Sequence, residues 1–218
     1  MVRILILDDH DIARHGSRSA LTAEPDIEVV GDTRIVAQAL QMLASVRPQV
    51  VIVDTLRADG AAIIAARRLR SADPSIKLLL LVSDAGTLAI ATTLLAGASG
   101  YVLRDAAAAT VLAARLIATG HRLLDTADVL STHAWIRQRL RSDQADRDES
   151  GVPERMLELI VAGHADPYIM THIPLTQERI DGHLAGIVEA LHLPGAAHAP
   201  VLRSLPTARP PAQHLPII

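Results

Sequence analysis

Short apolar blocks alternate along the first half of the chain with longer stretches in which apolar residues recur every three or four positions. The blocks are Val2–Leu7, Ile27–Val30, Val50–Val53, Lys77–Val82 and Gly100–Leu103. Their leucine-rich and β-branched content predicts strands, and the unbroken run Val50–Val53 predicts one that is buried on both faces. The stretches between them predict helices near 11–23, 34–45, 61–71, 86–96 and 107–119. Asp32 or Thr33 is the expected cap of the second helix, while Asp73-Pro74, Gly97 and Gly120 mark the ends of the last three. Strand and helix alternate five times. Because each parallel crossover needs a helix-sized connection, this order predicts a parallel sheet with helices on both faces.

The pattern changes at Asp125. Asp125-Thr126-Ala127-Asp128 supplies a cap for a mostly polar helix carrying Val129, Leu130, Ile136 and Leu140, which reads as a connector rather than a core element. Arg137, Arg139 and Arg141 stand at alternate positions, fall on different sides of that helix and read as solvated. Residues 142–151 hold no apolar residue except Ala and read as a flexible linker. An amphipathic helix then opens at Pro153 and closes at Gly163. A short helix near 167–172, a break at Pro174 and a longer helix from Thr176 to Leu191 follow, with Thr176 as a competent cap. The tail from Arg203 to Ile218 holds Pro206, Pro210, Pro211 and Pro216 and reads as extended or disordered. The expected units are therefore 1–124, a connector and linker over 125–152, a small all-α unit over 153–202 and a Pro-rich tail over 203–218.

Composition narrows the class. Half of the 218 residues are apolar, enough for a real core in two small domains. Cysteine is absent and no charged-then-apolar leader precedes the first strand, so a reducing cytoplasm is the expected location. No apolar run approaches the roughly 20 residues of a membrane span. With no Phe, two Tyr and one Trp, stacking platforms for single-stranded nucleic acid are excluded.

The chemistry lies where strands end in acids. Val50–Val53 runs into Asp54, and Val2–Leu7 runs into Asp8 and Asp9. If the two strands are parallel neighbours, the three carboxylates converge at the carboxyl edge of the sheet, where open α/β folds place ligands. Such a cluster repels itself unless a divalent cation sits in it, and hard oxygen donors suit magnesium. The competing reading is that Asp8 or Asp9 merely caps the following helix. Further residues decide between the two readings: Ser83 ends the strand 77–82, and Tyr101 and Arg104 flank the strand 100–103.

This constellation resembles the receiver domain of bacterial two-component response regulators of the NarL/FixJ type, which carry a LuxR-type helix-turn-helix. The match runs without gaps from about Val2 to Leu124, and Gly97-Ala98-Ser99-Gly100-Tyr101-Val102-Leu103 is among its most specific parts. The resemblance implies a flavodoxin-like (βα)5 receiver with a five-stranded parallel sheet, followed by a small helix-turn-helix domain. It makes Asp54 the phosphoacceptor, and assigns Mg2+ to Asp8, Asp9 and Asp54 with the backbone carbonyl of Leu56. Ser83 would hold the phosphoryl group and Tyr101 would swing inward in response. Two departures stand out: Arg104 replaces the family's lysine, and Ala58 replaces its proline. A planar guanidinium does not place charge where a compact ammonium would.

The second half resembles the LuxR-type helix-turn-helix, with Ile169, Leu175, Ile180, His183, Ile187, Leu191 and Leu193 on its apolar and histidine positions. Thr176 to Leu191 would be the recognition helix, meant for the major groove, with Thr176, Arg179, Ile180 and His183 as its DNA-binding candidates. Yet Asp181 and Ala190 replace basic residues of the family, and Gly182 and Gly186 weaken the helix by roughly 1 kcal/mol each relative to alanine. Residues 153–202 hold six carboxylates against two arginines, a formal charge of −4. DNA affinity rests largely on Lys and Arg at phosphates, so binding is expected to be weak and easily screened. His164, His172, His183, His192 and His198 lack the spacing of a zinc site.

The implied function is that of a transcription factor, not an enzyme, phosphorylated on Asp54 by a histidine kinase and binding DNA as a homodimer. The alternative is a degenerate, phosphorylation-independent regulator that works through protein contacts. A phosphatase or phosphotransferase ranks last, because nothing supplies a substrate pocket or a second general acid beside Asp54.

Overall fold

The structure is a computed structural model that describes residues 1–54, 60–142 and 151–191, with side chains to Leu140 in the middle segment. Strands β1 (Val2–Leu7), β2 (Ile27–Thr33), β3 (Val50–Asp54), β4 (Lys77–Val82) and β5 (Gly100–Leu103) form one parallel sheet in the order β2-β1-β3-β4-β5. This is the flavodoxin-like order, in which the chain reverses direction between β1 and β3 and leaves a crevice at their carboxyl ends.

Successive residues of each strand point to opposite faces, and both faces are covered. Ile4, Ile6, Val50, Ile52, Leu79 and Leu81 pack with residues of α1 (Asp11–Thr22) and α5 (Ala107–Ala118). Leu5, Leu7, Val51, Val53, Leu78 and Leu80 pack with α2 (Val36–Val46), α3 (Ala61–Ala72) and α4 (Thr87–Ala96). The β3 run needs no polar alternation because neither face meets water.

The second core extends beyond the receiver half. Ile136 of α6 (Thr126–Ser142), Met156, Leu157 and Ile160 of α7 (Val152–Val161), Ile169 of α8 (Asp166–His172) and Ile180, Leu184, Ile187 and Val188 of α9 (Gln177–Ala190) join the same cluster. α6 and α7 both pack on α4, and α8 packs on α3. This explains why α4 buries Ile90, Ala91, Thr93, Leu94 and Leu95 on several sides. α6 is therefore a packing element and not a bare connector, with Thr132 and Ile136 buried in it.

Two local expectations are corrected. β2 continues through Gly31-Asp32-Thr33, and α2 starts later, at Val36, without a side-chain cap. Thr33 instead accepts a hydrogen bond from the Ile35 amide at 3.1 Å from its place in the strand. α4 ends at Gly97, whose φ of 66° is a left-handed conformation that glycine adopts without strain. Of the expected linker over 142–151, Ser142 ends α6 and Gly151 precedes α7, and residues 143–150 and the tail lie outside the described residues.

Candidate functional site

Register brings the acids together. Leu7 of β1 pairs with Val53 of β3, so Asp8 and Asp54 follow on neighbouring strands at the switch point of the sheet. One donor atom from each of Asp8, Asp9, His10 and Asp54 lies within 4.8 Å of all the others. The Asp8 and Asp54 side chains are each only 1% exposed. Asp8 Oδ1 accepts from the His10 amide at 2.8 Å, whereas Asp8 Oδ2 is buried with no hydrogen-bond partner. A buried carboxylate oxygen without a donor is costly unless a cation meets it. The donor set is thus right for a hard divalent ion.

The surroundings supply further charge. Arg14 of α1 donates to the Asp8 carbonyl at 2.9 Å and to Asp32 at 3.0 Å, and Arg18 also pairs with Asp32. These bonds keep a fourth nearby carboxylate, Asp32, neutralised and turned to α1. Asp11, in the first turn of α1, is held below the usual carboxylate range by its bond to Arg14. Neither His10 nor Arg14 was singled out in the sequence. His10 could have been, because it directly follows Asp8-Asp9, whereas Arg14 needs one helical turn to come back to Asp8.

Arg104 stands just beyond β5, where its amide donates to the Val82 carbonyl at 3.0 Å. Its guanidinium Nη2 donates to Asp54 Oδ1, so the residue that replaces the family's lysine does reach the carboxylate. Its Nε is buried without a partner, which shows that the fork is only partly used here. Ser83, the first residue after β4, is exposed, and Tyr101 is half-buried against the core. The structure places Asp8, Asp9, Asp54 and Arg104 together, with Ser83 on the same carboxyl edge. Leu56 and Ala58 lie outside the described residues.

The candidates of the second site fare unevenly. Thr176 caps α9, accepting from the Arg179 amide at 3.3 Å, and both residues are exposed. Ile180, expected to meet DNA, is instead fully buried, because Ile180, Leu184, Ile187 and Val188 form the apolar stripe that holds α9 in the core. His183 is half-buried and its Nε2 has no hydrogen-bond partner. The exposed face of α9 carries Glu178, Arg179, Gly182, Gly186 and Glu189.

Comparison with known proteins bears on both halves. Residues 4–115, somewhat more than half of the chain, match the response regulator receiver domain. The chain is 28% identical over 213 residues to the DNA-binding transcriptional activator DevR/DosR of Mycobacterium tuberculosis, covering 97% of this chain and 98% of that one. It is 26% identical over 202 residues to the transcriptional regulatory protein LnrK of Bacillus subtilis, covering 88% and 91%. Among solved structures, a LuxR-family two-component response regulator from Aurantimonas aligns with a TM-score of 0.51 at 27% identity, covering 63% of this chain and 99% of that one.

Proposed function

Because this chain belongs to the response regulator receiver domain family, we propose that it is a phosphorylation-linked regulator of transcription in which Asp54 accepts a phosphoryl group from a histidine kinase. A carboxylate oxygen of Asp54 forms the new P–O bond as the bond from phosphorus to the donor nitrogen breaks. Asp8, Asp9 and Asp54 would hold magnesium, with the carbonyl of Leu56 as the further ligand that the resemblance implies. When bound, that ion offsets the carboxylate charge and polarises the phosphoryl oxygens. Arg104 orients Asp54 and meets charge on the transferred group, and Ser83 offers a hydroxyl on the same edge. The receiver half, 1–124, acts as the input, and 153–202, joined by 125–152, as the output. The protein works in the cytoplasm, and among the described residues no helix is long and apolar enough to cross a membrane.

The observation that carries this reading is the buried Asp8 carboxylate, which has one oxygen without a hydrogen-bond donor and one ligand atom within 4.8 Å of donor atoms from Asp9 and Asp54. Acetyl phosphate with Mg2+ should label Asp54, and peptide mass mapping should find the label there alone. Label on another residue, or no label under conditions that modify an ordinary receiver, refutes it.

For the output, the family favours DNA binding by a homodimer through α9. A second reading, output through protein contacts without DNA, is favoured by the exposed face of α9, which offers one arginine against two glutamates. Salt-resolved DNA binding of the full chain, with and without the phosphodonor, separates the two.

A further inference from the structure

His10 completes the set of donors at the end of β1. Its backbone amide donates to Asp8 Oδ1 at 2.8 Å, which folds the chain back over the carboxylate, and its ring Nδ1 lies 3.1 Å from Asp9 Oδ1. A ring nitrogen of His10 is within 4.8 Å of an oxygen from each of Asp8, Asp9 and Asp54. Cis ligands on an octahedral ion with bonds of about 2.1 Å stand about 3.0 Å apart, and trans ligands about 4.2 Å apart. The Asp9–His10 spacing of 3.1 Å therefore matches one edge of a coordination octahedron, and contraction from 4.8 Å to about 4.2 Å closes the set around one ion. Uncommitted oxygen is scarce there. Asp8 Oδ1 is engaged by the His10 amide and Asp54 Oδ1 by Arg104, while Asp8 Oδ2 is buried with no hydrogen-bond partner and calls for a cation.

We propose that His10 is a further protein ligand of this cation site, through Nδ1, and that the site accordingly prefers a first-row transition ion such as Mn2+ to Mg2+. The proposal rests on reading Asp8, Asp9 and Asp54 as a cation site, and not on phosphorylation of Asp54. An ionised carboxylate only accepts, so in the contact with Asp9 the imidazole proton sits on Nδ1. The ring is half-exposed, and a neutral imidazole exchanges that proton through water for one on Nε2, which frees the Nδ1 lone pair for a metal. Mg2+ binds hard oxygen and sheds water reluctantly, so in the place of the imidazole it keeps a water molecule. Transition ions accept imidazole nitrogen, and their affinity for mixed nitrogen and oxygen sites climbs from Mn2+ toward Cu2+. One nitrogen among the oxygens thus favours them over Mg2+ without shutting Mg2+ out. Four protein donors leave two positions of an octahedron, which suffice for the Leu56 carbonyl that the resemblance implies and for water or a phosphoryl oxygen.

Electron paramagnetic resonance on the full chain tests this, with Mn2+ as the probe and with wild type, His10→Ala and Asp8→Asn compared. Loss of the free Mn2+ signal gives the affinity for that ion, competition gives the affinity for Mg2+, and electron spin-echo envelope modulation reads nitrogen bound to the metal. In wild type the expected result is the modulation of a directly bound imidazole, with Mn2+ held more tightly than Mg2+. His10→Ala should lose the modulation and weaken Mn2+ by at least about tenfold, the loss that even an outer-shell partner of a metal ligand causes, while Mg2+ affinity stays nearly unchanged. Asp8→Asn should weaken both ions, and unchanged affinities there put the ions elsewhere and overturn the proposal. Mn2+ bound to wild type without nitrogen modulation, modulation that persists in His10→Ala, or a His10→Ala loss equal for the two ions overturns the role of His10 and leaves the cation site standing. Wild type that binds neither ion overturns the cation site and the proposal with it. The wild-type spectrum decides on nitrogen by itself, so the outcome does not depend on either variant folding.

Discussion

Replacing Asp166 by alanine removes a charge that Arg67 cannot replace. The guanidinium is 2% exposed and keeps the carbonyls of Leu95 at 3.1 Å and His164 at 3.3 Å, but it loses its described counter-charge. Breaking one side of a buried pair costs about 3–5 kcal/mol. The two remaining carbonyl bonds point to the lower part of that range. Gln177 adds little to the loss, because it still has Asp181 as an acceptor. At roughly 2–4 °C per kcal/mol for a chain of this size, about 3 kcal/mol corresponds to a fall in Tm of about 6–12 °C. Urea unfolding followed by circular dichroism gives the free energy directly. Replacing both partners, Arg67→Met with Asp166→Leu, leaves no stranded charge and should restore stability to within about 1 kcal/mol of wild type or raise it. A loss below about 1 kcal/mol in Asp166→Ala would show that water reaches the pair and that the burial argument fails.

Arg104→Lys should strengthen the response of Tyr101 to phosphodonor, followed by NMR of the tyrosine ring, if ammonium geometry is what the switch requires; an equal response in wild type shows that the guanidinium suffices. Asp181→Lys should break the pair with Arg68 and, by freeing that face of α9, raise DNA affinity and steepen the dependence of log K on log salt by roughly one unit; an unchanged slope in gel-shift titrations refutes the gained phosphate contact. Burial, with the charge of Arg137 behind it, holds His133 below the ordinary imidazole value despite Glu158 on α7. The unfolded chain therefore takes up the proton first, and stability should fall as pH drops below about 6.5 toward the folded-state value. His133→Gln should flatten that part of the pH–stability curve, and an unaltered slope shows that another group sets it.

The parts of the fold that local pattern encodes were legible, and the parts that depend on distant partners were not. Val50–Val53 read as a doubly buried strand because four apolar residues in a row leave no solvent face, and Gly97 and Gly120 marked helix ends because both take positive φ. The end of β2 was missed because Gly31-Asp32-Thr33 is polar. It stays in the sheet because it pairs with β1 and because Arg14 and Arg18 hold Asp32. At the acid site, Asp8, Asp9 and Asp54 were legible from strand ends. The ion pairs between α3 and the C-terminal helices were not: Arg67 and Asp166 lie 99 residues apart and Arg68 and Asp181 lie 113 apart, so no periodicity links them. Ile180 was placed on the wrong face because the resemblance supplied a helix but not the packing of that helix on this receiver.

The charge of α9 constrains any output more tightly than its fold does. With the helix docked, Asp181 is matched by Arg68, and the outward face shows Glu178 and Glu189 with Arg179. Undocking would release Asp181 and Asp166 together, so the freed unit would turn more negative than the docked one at the moment it met DNA. Counterion release would drive that encounter only weakly, because it needs cations on the protein to take the place of those around the phosphates and residues 153–202 hold two arginines. A partner that presents basic residues gains in both states, through the two glutamates while the helix is docked and through all four acids once it is free. The acids that fasten α8 and α9 to α3 are thus the feature that supports the reading of output through protein contacts.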